Sequence, residues 1–403
     1  MILKDTLKKV AESQKADLEK KAKGVKRNLL INIDLKIQFT TIISGVRRCG
    51  KSTLLKQISE KKKKFCYFNF EDQRVSEFKL SDFEKLDEAL HEIYGSCDLY
   101  LFDEIQNVDG WERYIRKMHD LGKKIIITGS NASLLSRELG TKLTGRHITR
   151  ELFPFSYKEM LELTKQKPSI QSFEKYFKEG GFPDYLKYKK IEIVQQVFKD
   201  ILFRDIIVRY NLRDKRAIQD LAVYLLTNIG KEFSYNKLRA YFNLGSTNSA
   251  ISYVSHFEDS YLMFTVPKFD YSLKKQIVNP KKIYSIDVGL SRANSITFSE
   301  DKGRILENIV YIHLRRANSS IFYFNQENEC DFLIKQKEKI VQAVQVCYRL
   351  DDDNKDREFN GLLDALKEFK LKKGLIITYD QEDKIKLEGR EIIIKPAWKW
   401  LLE

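Results

Sequence analysis

The sequence has little cysteine and little histidine, no long apolar stretch and no internal repeat. Its five cysteines, Cys49, Cys66, Cys97, Cys330 and Cys347, are scattered over 403 residues without a C-x-x-C pair. That argues against a disulfide framework and against a zinc ribbon. The five histidines, His91, His119, His147, His256 and His313, are isolated, so no His-based metal centre is expected. No run of ~18 uncharged apolar residues occurs, which argues against a transmembrane helix. The first residues, MILKDTLKKVAESQKADLEKKAKG, lack the apolar core and cleavage site of a signal peptide. A cytoplasmic protein with no membrane partner is expected. The one low-complexity spot, KKKK at 61–64, reads as a solvated helix end.

Large core side chains are plentiful. Hydrophobic residues make up 42%, with 25 Phe and 20 Tyr, which excludes a disordered chain. At ~100–200 residues per domain, two to four domains are expected. Lys and Arg total 72 against 57 Asp and Glu, giving +15. A polyanionic partner, most simply nucleic acid, would suit that surplus. A lysine-rich solvated surface gives the same number.

Patterning then divides the chain. Residues 1–27 are charged and helix-prone. The stretch FTTIISGVRRCGKSTLLKQI reads strand, glycine loop, helix. Strand-like runs follow at 65–70, 99–102 and 124–128, with helical patterns between them. This alternation implies a parallel sheet covered by helices over 28–153. From 154 to 214 the pattern is helical, opening on a Ser156–Glu159 capping box, and reads as a lid. Residues 215–295 read as three helices and a β-pair, a winged helix-turn-helix. The segment 300–403 reads helix, three strands, helix, strand. The fold class expected is therefore α/β: a P-loop parallel-sheet core, a helical lid, a winged helix-turn-helix and a C-terminal α/β domain.

GVRRCGKS at 45–52 fits G-x-x-x-x-G-K-[ST]. Gly45 and Gly50 let the backbone curl so that N–H groups face phosphate oxygens, and the next helix adds its positive end. Lys51 reaches the β- and γ-phosphates, and Ser52, followed by Thr53, offers a hydroxyl to Mg²⁺. In LYLFDE, Asp103 ends an apolar strand where it can hold Mg²⁺. Glu104 beside it is placed to deprotonate a water. IIITGSN ends another strand in Ser130 and Asn131, polar groups suited to the γ-phosphate or the attacking water. LTGRH offers Arg146 as a cation for the transition state, in cis or in trans, with Arg47 and Arg48 as alternatives.

The concatenated motifs ISGVRRCGKSTLL, LYLFDEIQNVDGWE, ITGSNASLLSRELGTKLTGR and ELFPFSYKEML resemble a family of prokaryotic AAA+-type ATPases. Its members carry a C-terminal domain of unknown function. The resemblance runs from about Asn28 to about Tyr379. It implies an ATPase core whose sensor strand lies between the loop strand and the Asp-Glu strand. ATP rather than GTP follows from the resemblance and from the lack of an N-K-x-D stretch.

The winged helix offers Thr247, Asn248, Ser249, Ser252, Tyr253 and His256 on its third helix. Phosphate contacts would fall to Lys237, Arg239, Lys268, Lys274, Lys275, Lys281 and Lys282. The last domain resembles the PD-(D/E)XK nuclease fold, whose chemistry needs a Glu, an Asp and a Glu-x-Lys around Mg²⁺. Glu307 and Asp331 fit the first two places. Gln345 stands where the second acid belongs and Cys347 where the Lys belongs, so a second Mg²⁺ site at Glu307, Asp331 and Gln345 would be weakened. The reading that results is an ATP- and Mg²⁺-using ATPase, open to homo-oligomer formation, that acts on DNA and cuts it poorly or not at all. Its alternatives are an ATP-gated Mg²⁺-dependent nuclease and a nucleotide-switched protein-interaction module.

Overall fold

The computed structural model describes residues 2–62, 64–131, 145–296, 301–317 and 320–403. Lys63 and residues 132–144, which include most of the stretch leading to LTGR, lie outside the described residues. The chain forms two compact units, Met1–Phe153 with Asp259–Tyr261, and Pro154–Glu258 with Leu262–Glu403.

In the first unit, helix α1 (Lys4–Lys20) buries Leu7, Val10, Ala11, Gln14 and Leu18. That is one helical face, and it packs on β2 and α3. Strand β1 (Thr40–Ser44) leads into α2 (Lys51–Ser59). Then come β2 (Phe65–Asn69), α3 (Phe83–Tyr94), β3 (Leu99–Asp103), α4 (Trp111–Asp120), β4 (Lys124–Gly129) and β5 (His147–Glu151). The five strands are parallel in the order β2-β3-β4-β1-β5. β1 and β3 are buried along their whole length, as strands covered on both faces must be. Aromatic rings fill one core, with Phe68, Phe83, Phe102 and Trp111 fully buried. The strand β4 does lie between β1 and β3, where a sensor strand was expected.

Two features differ from the sequence reading. β5 was not foreseen, because HITRE is a half-buried edge strand with no apolar run. Cys66 and Cys97 form a disulfide. They are 31 positions apart, but β2 and β3 are neighbours and bring them together.

The second unit opens with α5 (Tyr157–Thr164), α6 (Ile170–Glu179), α7 (Pro183–Tyr188) and α8 (Ile191–Asp200). Ser156 caps α5, accepting from Glu159 N, while the Glu159 carboxylate accepts from Ser156 N at 2.8 Å. Next are α9 (Lys215–Thr227), β6 (Glu232–Phe233), α10 (Tyr235–Tyr241), α11 (Thr247–Asp259), β7 (Met263–Pro267), α12 (Leu273–Val278) and β8 (Lys281–Ser285). The strands pair in the order β6-β8-β7. After α13 (Val288–Asn294) come α14 (Lys302–Ala317), β9 (Ile321–Asn325), β10 (Glu329–Gln336), β11 (Lys339–Val346), α15 (Lys355–Glu368) and β12 (Lys373–Thr378). A hairpin of β13 (Asp383–Leu387) and β14 (Arg390–Pro396), unread in the sequence, extends a six-stranded sheet in the order β13-β14-β12-β11-β10-β9. Among the described residues no helix is long and apolar enough to cross a membrane.

The turn Gly180–Gly181 is a packing point. A Cβ on Gly181 would lie 2.1 Å from Phe155 O. Asp287 caps α13 through Leu290 N and also accepts from Gly181 N at 2.6 Å. Gly181→Ala is therefore expected to lower stability by about 1–3 kcal/mol, checked by chemical denaturation. Burial pushes the Asp287 carboxyl up to about 6, against the pull of its backbone N–H donors. The folded chain thus holds this proton more tightly than the unfolded chain. The stability it brings is complete below about pH 4 and is lost as the pH rises through about 6. Asp287→Asn should flatten stability across that window, measured by denaturant midpoints at each pH.

Candidate functional site

The two glycines of the phosphate loop answer to different constraints. Gly50 has φ +102°, a left-handed conformation that side chains disfavour. At Gly45 the constraint is space. The chain beyond β5 passes so close that a Cβ on Gly45 would sit 2.1 Å from Leu152 O. Leu152 N also donates to Ser44 O at 2.7 Å. Beneath the loop, buried Arg27 donates to Cys49 O at 2.6 Å and to Phe153 O at 2.7 Å. Ser44 Oγ and Tyr261 hydroxyl share a 2.6 Å bond in the same unit.

Lys51 is 5% exposed. Its Nζ donates to Gly45 O at 3.1 Å and to Val46 O at 3.4 Å, and pairs with Glu104 Oε1 at 3.2 Å. Burial alone would lower its pKa, but the charge of Glu104 leads an opposing set that raises it. Asp103 is fully buried at the end of β3. Burial pushes its carboxyl up and the Glu104 charge adds to this, while bonds from Ser52 and Thr128 pull it back. Tyr67 hydroxyl lies 3.2 Å from Asp103 Oδ2. Glu104 has a left-handed backbone, φ +51°, fixed by a 3.0 Å bond from its N–H to Thr128 Oγ1. Burial opposes its ionisation, yet Lys51 holds its carboxyl below the ordinary value, helped by Gln106, whose Nε2 donates to Glu104 Oε2 at 2.6 Å. The two adjacent carboxyls are thus driven apart, Asp103 up and Glu104 down. Such a split assigns two acids two roles.

The structure brings Gly45, Gly50, Lys51, Ser52, Asp103 and Glu104 together. Asn131, fully buried, follows β4, whose Gly129 O accepts from Gly45 N at 3.3 Å. Ser130 Oγ, next to it, is buried and has no hydrogen-bond partner among the described residues, as a group awaiting a ligand would be. Thr53 lies on α2, where a Cβ on Gly24 would be 3.2 Å from its methyl. Arg146, expected to act in cis or in trans, precedes β5 at the end of the strands opposite the loop, with its carbonyl bonded to Thr40 N and its guanidinium 2.6 Å from Asp120 Oδ1. One strand length, ~15 Å, separates that end from the loop. Of the alternatives, Arg47 pairs with Glu71 at 2.9 Å and its charge reaches Glu104. Sequence reasoning missed Arg27, Tyr67 and Thr128, which no motif marks.

The C-terminal sheet holds a second cluster. Glu307 on α14 and Asp331 on β10 do approach each other, but around Lys282 of β8. Lys282 Nζ lies 2.9 Å from Glu307 Oε1, 2.8 Å from Asp331 Oδ1 and 2.7 Å from Glu329 Oε1. Lys282 is 2% exposed, so the expectation that it contacts phosphate is corrected. Lys281 donates to Gln276 O and Ile277 O, at the end of α12. Gln345 is not turned toward a cation. Its Oε1 accepts from Asp331 N at 3.2 Å and its Nε2 donates to Glu358 Oε2 at 2.6 Å. Cys347 Sγ lies 3.0 Å from Arg349 O, and burial pushes its thiol up to about 12. Burial pushes Glu307 up to about 7, with Lys282 opposing. Among the described residues no group of three His, Cys, Asp or Glu is arranged to hold a metal ion. The expected second Mg²⁺ site is corrected accordingly: an ammonium stands at its centre.

Three family comparisons match in series. An AAA domain covers residues 38–161, and two domains of unknown function cover 170–300 and 302–400. An uncharacterized protein of Methanocaldococcus jannaschii is 37% identical over 96% of this chain and 93% of its own length. An uncharacterized Haemophilus influenzae protein is 28% identical over 89% of this chain and 94% of its own. Among solved structures, AMPPCP-bound DnaA from Aquifex aeolicus aligns at 14% identity and TM-score 0.28, over 62% of this chain and 88% of that one. Cdc6p from Pyrobaculum aerophilum aligns at 13% and TM-score 0.24, over 74% and 94%. TM-scores this low leave the fold assignment to the sheet order and the loop.

Thr128 Oγ1 donates to the Asp103 carboxyl and accepts from Glu104 N, so its removal should be felt at once. Thr128→Val is expected to cost about 1–3 kcal/mol by stranding buried polar groups, measured by chemical denaturation.

Proposed function

The chain belongs to the same family as its Methanocaldococcus jannaschii relative, and on that footing we propose that it hydrolyses ATP at this loop and uses the cycle to act on DNA. The observation that carries the reading is the convergence of Lys51, Ser52, Asp103 and Glu104 around one loop at the end of a parallel sheet. The N-terminal N–H groups of α2 and the loop backbone would cradle phosphate. Ser52 and Asp103, whose side chains act on each other, would hold Mg²⁺. When bound, that ion supplies Lewis-acid stabilisation of charge on the phosphate oxygens.

Lys51 now spends its N–H donors on two carbonyls and Glu104. Turning toward phosphate takes the counter-ion from Glu104, whose basicity then rises. Glu104 would orient and deprotonate the attacking water in that state, with Asn131 and Ser130 beside it. Arg47 is the nearby cation, and Arg146 would serve only the loop of another copy in a homo-oligomer. If turnover per chain does not change with protein concentration, Arg146 has no part in it.

The DNA part of the reading rests on order and charge. The elements from α9 to β8 would make a winged helix-turn-helix, with 154–214 as a lid before it. Lys237, Arg239, Lys274 and Lys275 are exposed around it, and Asn248 and Ser252 are exposed on α11. The domain beyond it would bind without cutting. A second reading, a protein-interaction module, is favoured by one observation: the wing exposes Tyr271 by 76%, Leu273 by 69%, Ile277 by 61% and Val278 by 70%.

ATP turnover with and without DNA tests the proposal. Lys51→Ala should lose nucleotide binding. Glu104→Gln should retain ATP and slow turnover by ~10²–10⁴. DNA affinity should fall steeply with salt. Turnover by Glu104→Gln at the parental rate would remove Glu104 as base, and salt-independent or absent DNA binding would favour the protein-interaction reading.

A further inference from the structure

The cluster around Lys282 has an unusual arithmetic. A lysine ammonium has three N–H donors. Three carboxylate oxygens, from Glu307, Glu329 and Asp331, lie 2.7–2.9 Å from Nζ. Two of the donors go to Glu307 and Asp331, and Glu329 stands against the ammonium as a third ion-pair partner. The second oxygen of Asp331 accepts from Val346 N at 3.0 Å, and Glu307 Oε1 also accepts from Tyr284 hydroxyl at 2.6 Å. Tyr284 and Lys282 are two residues apart on β8, so one strand supplies both polar groups to Glu307. The ammonium is enclosed by carboxylates, and Lys282 is 2% exposed.

The place is otherwise a cation's. The three oxygens come from α14 and β10 and converge on one point. A cleft of about 830 Å³ lies over them, bounded by Gly230, Arg304, Asn325 and Arg357. Three carboxylates against one ammonium leave negative charge in excess. Mg²⁺ takes such oxygens at about 2.0–2.1 Å and completes its shell with water. Drawing the three oxygens inward by several tenths of an ångström would meet that need, and the cleft has room for the water.

We propose that Lys282 is an internal cation seated where a divalent metal would sit, so that the folded chain excludes Mg²⁺ and Mn²⁺ from Glu307, Glu329 and Asp331, and removing its ammonium turns the cluster into a divalent-cation site. The proposal is independent of ATP hydrolysis, since it concerns a different unit and is tested without nucleotide. It also reassigns the missing lysine of the nuclease-like motif. The charge absent at Cys347 is present in space, but locked.

The test uses the full chain, MnCl₂ as probe and no nucleotide. Binding is read by calorimetry and by the paramagnetic signal of free Mn²⁺, and folding by the melting midpoint. The parental chain should bind no stoichiometric Mn²⁺ at this cluster, and its midpoint should not move. Lys282→Ala should melt lower in EDTA, bind one Mn²⁺ per chain roughly tenfold or more tighter than the parent does, and regain stability with Mn²⁺. Adding Asp331→Asn should abolish that gain. Lys282→Gln, which keeps a donor in the cluster, covers a poorly folding alanine chain. Recovery of either variant on refolding in Mn²⁺ but not in EDTA supports the proposal. It is overturned if folded variants gain no Mn²⁺, if neither folds even with Mn²⁺ present, or if the parental chain binds Mn²⁺ in a way that Asp331→Asn removes.

Discussion

A cation taken out of water must be met by opposite charge or oriented dipoles, and among the described residues three buried cations order the chain. Arg27 and Lys282 are 2% exposed and Lys51 is 5% exposed. The desolvation of each ion costs several kcal/mol, so each has dictated its surroundings. Arg27 gathers Cys49 O and Phe153 O and so fixes the floor of the phosphate loop. Lys51 gathers Glu104 and two loop carbonyls. Lys282 gathers three carboxylates from a helix and a strand.

Much of the fold was legible because its central strands are fully buried. TTIIS and LYLFD are buried throughout and rich in β-branched and large apolar residues, as strands covered on both faces are. Edges are another matter. HITRE at β5 is half-buried and mixed in polarity, so its sequence resembles a loop. The hairpin β13–β14 alternates exposed and half-buried residues on one strand and lies at the rim of its sheet. The Cys66–Cys97 disulfide needed knowledge of strand neighbours, which linear spacing does not carry.

The candidate site divides the same way. Gly45 through Ser52 are contiguous, and their chemistry depends on that contiguity, so the motif was readable. Thr128 and Tyr67 act on Asp103 from two other strands and carry no sequence signature. Arg146 was readable as the basic residue of LTGRH, but its place was not: β5 runs parallel to β1, so the residue before β5 lies at the end of the strands opposite the loop. Gln345 and Cys347 looked like losses because the motif was followed along one strand. The replacing charge came from β8, 49 residues before Asp331.

The two buried lysines then differ in what they can do, and their partners decide it. Bonds between ions are shorter and about twice as strong as bonds to neutral groups. Lys51 has two neutral carbonyl partners at 3.1 and 3.4 Å and one carboxylate at 3.2 Å. An incoming phosphate oxyanion offers more than the carbonyls it would displace, so exchange is favourable. Lys282 has three carboxylates, none farther than 2.9 Å. A phosphate there would replace one anion with another while leaving a buried carboxylate stranded, at a cost of several kcal/mol. Burial alone does not mark a lysine as functional. The one whose partners are weakest is free to act on a ligand, and the one whose partners are strongest holds the fold.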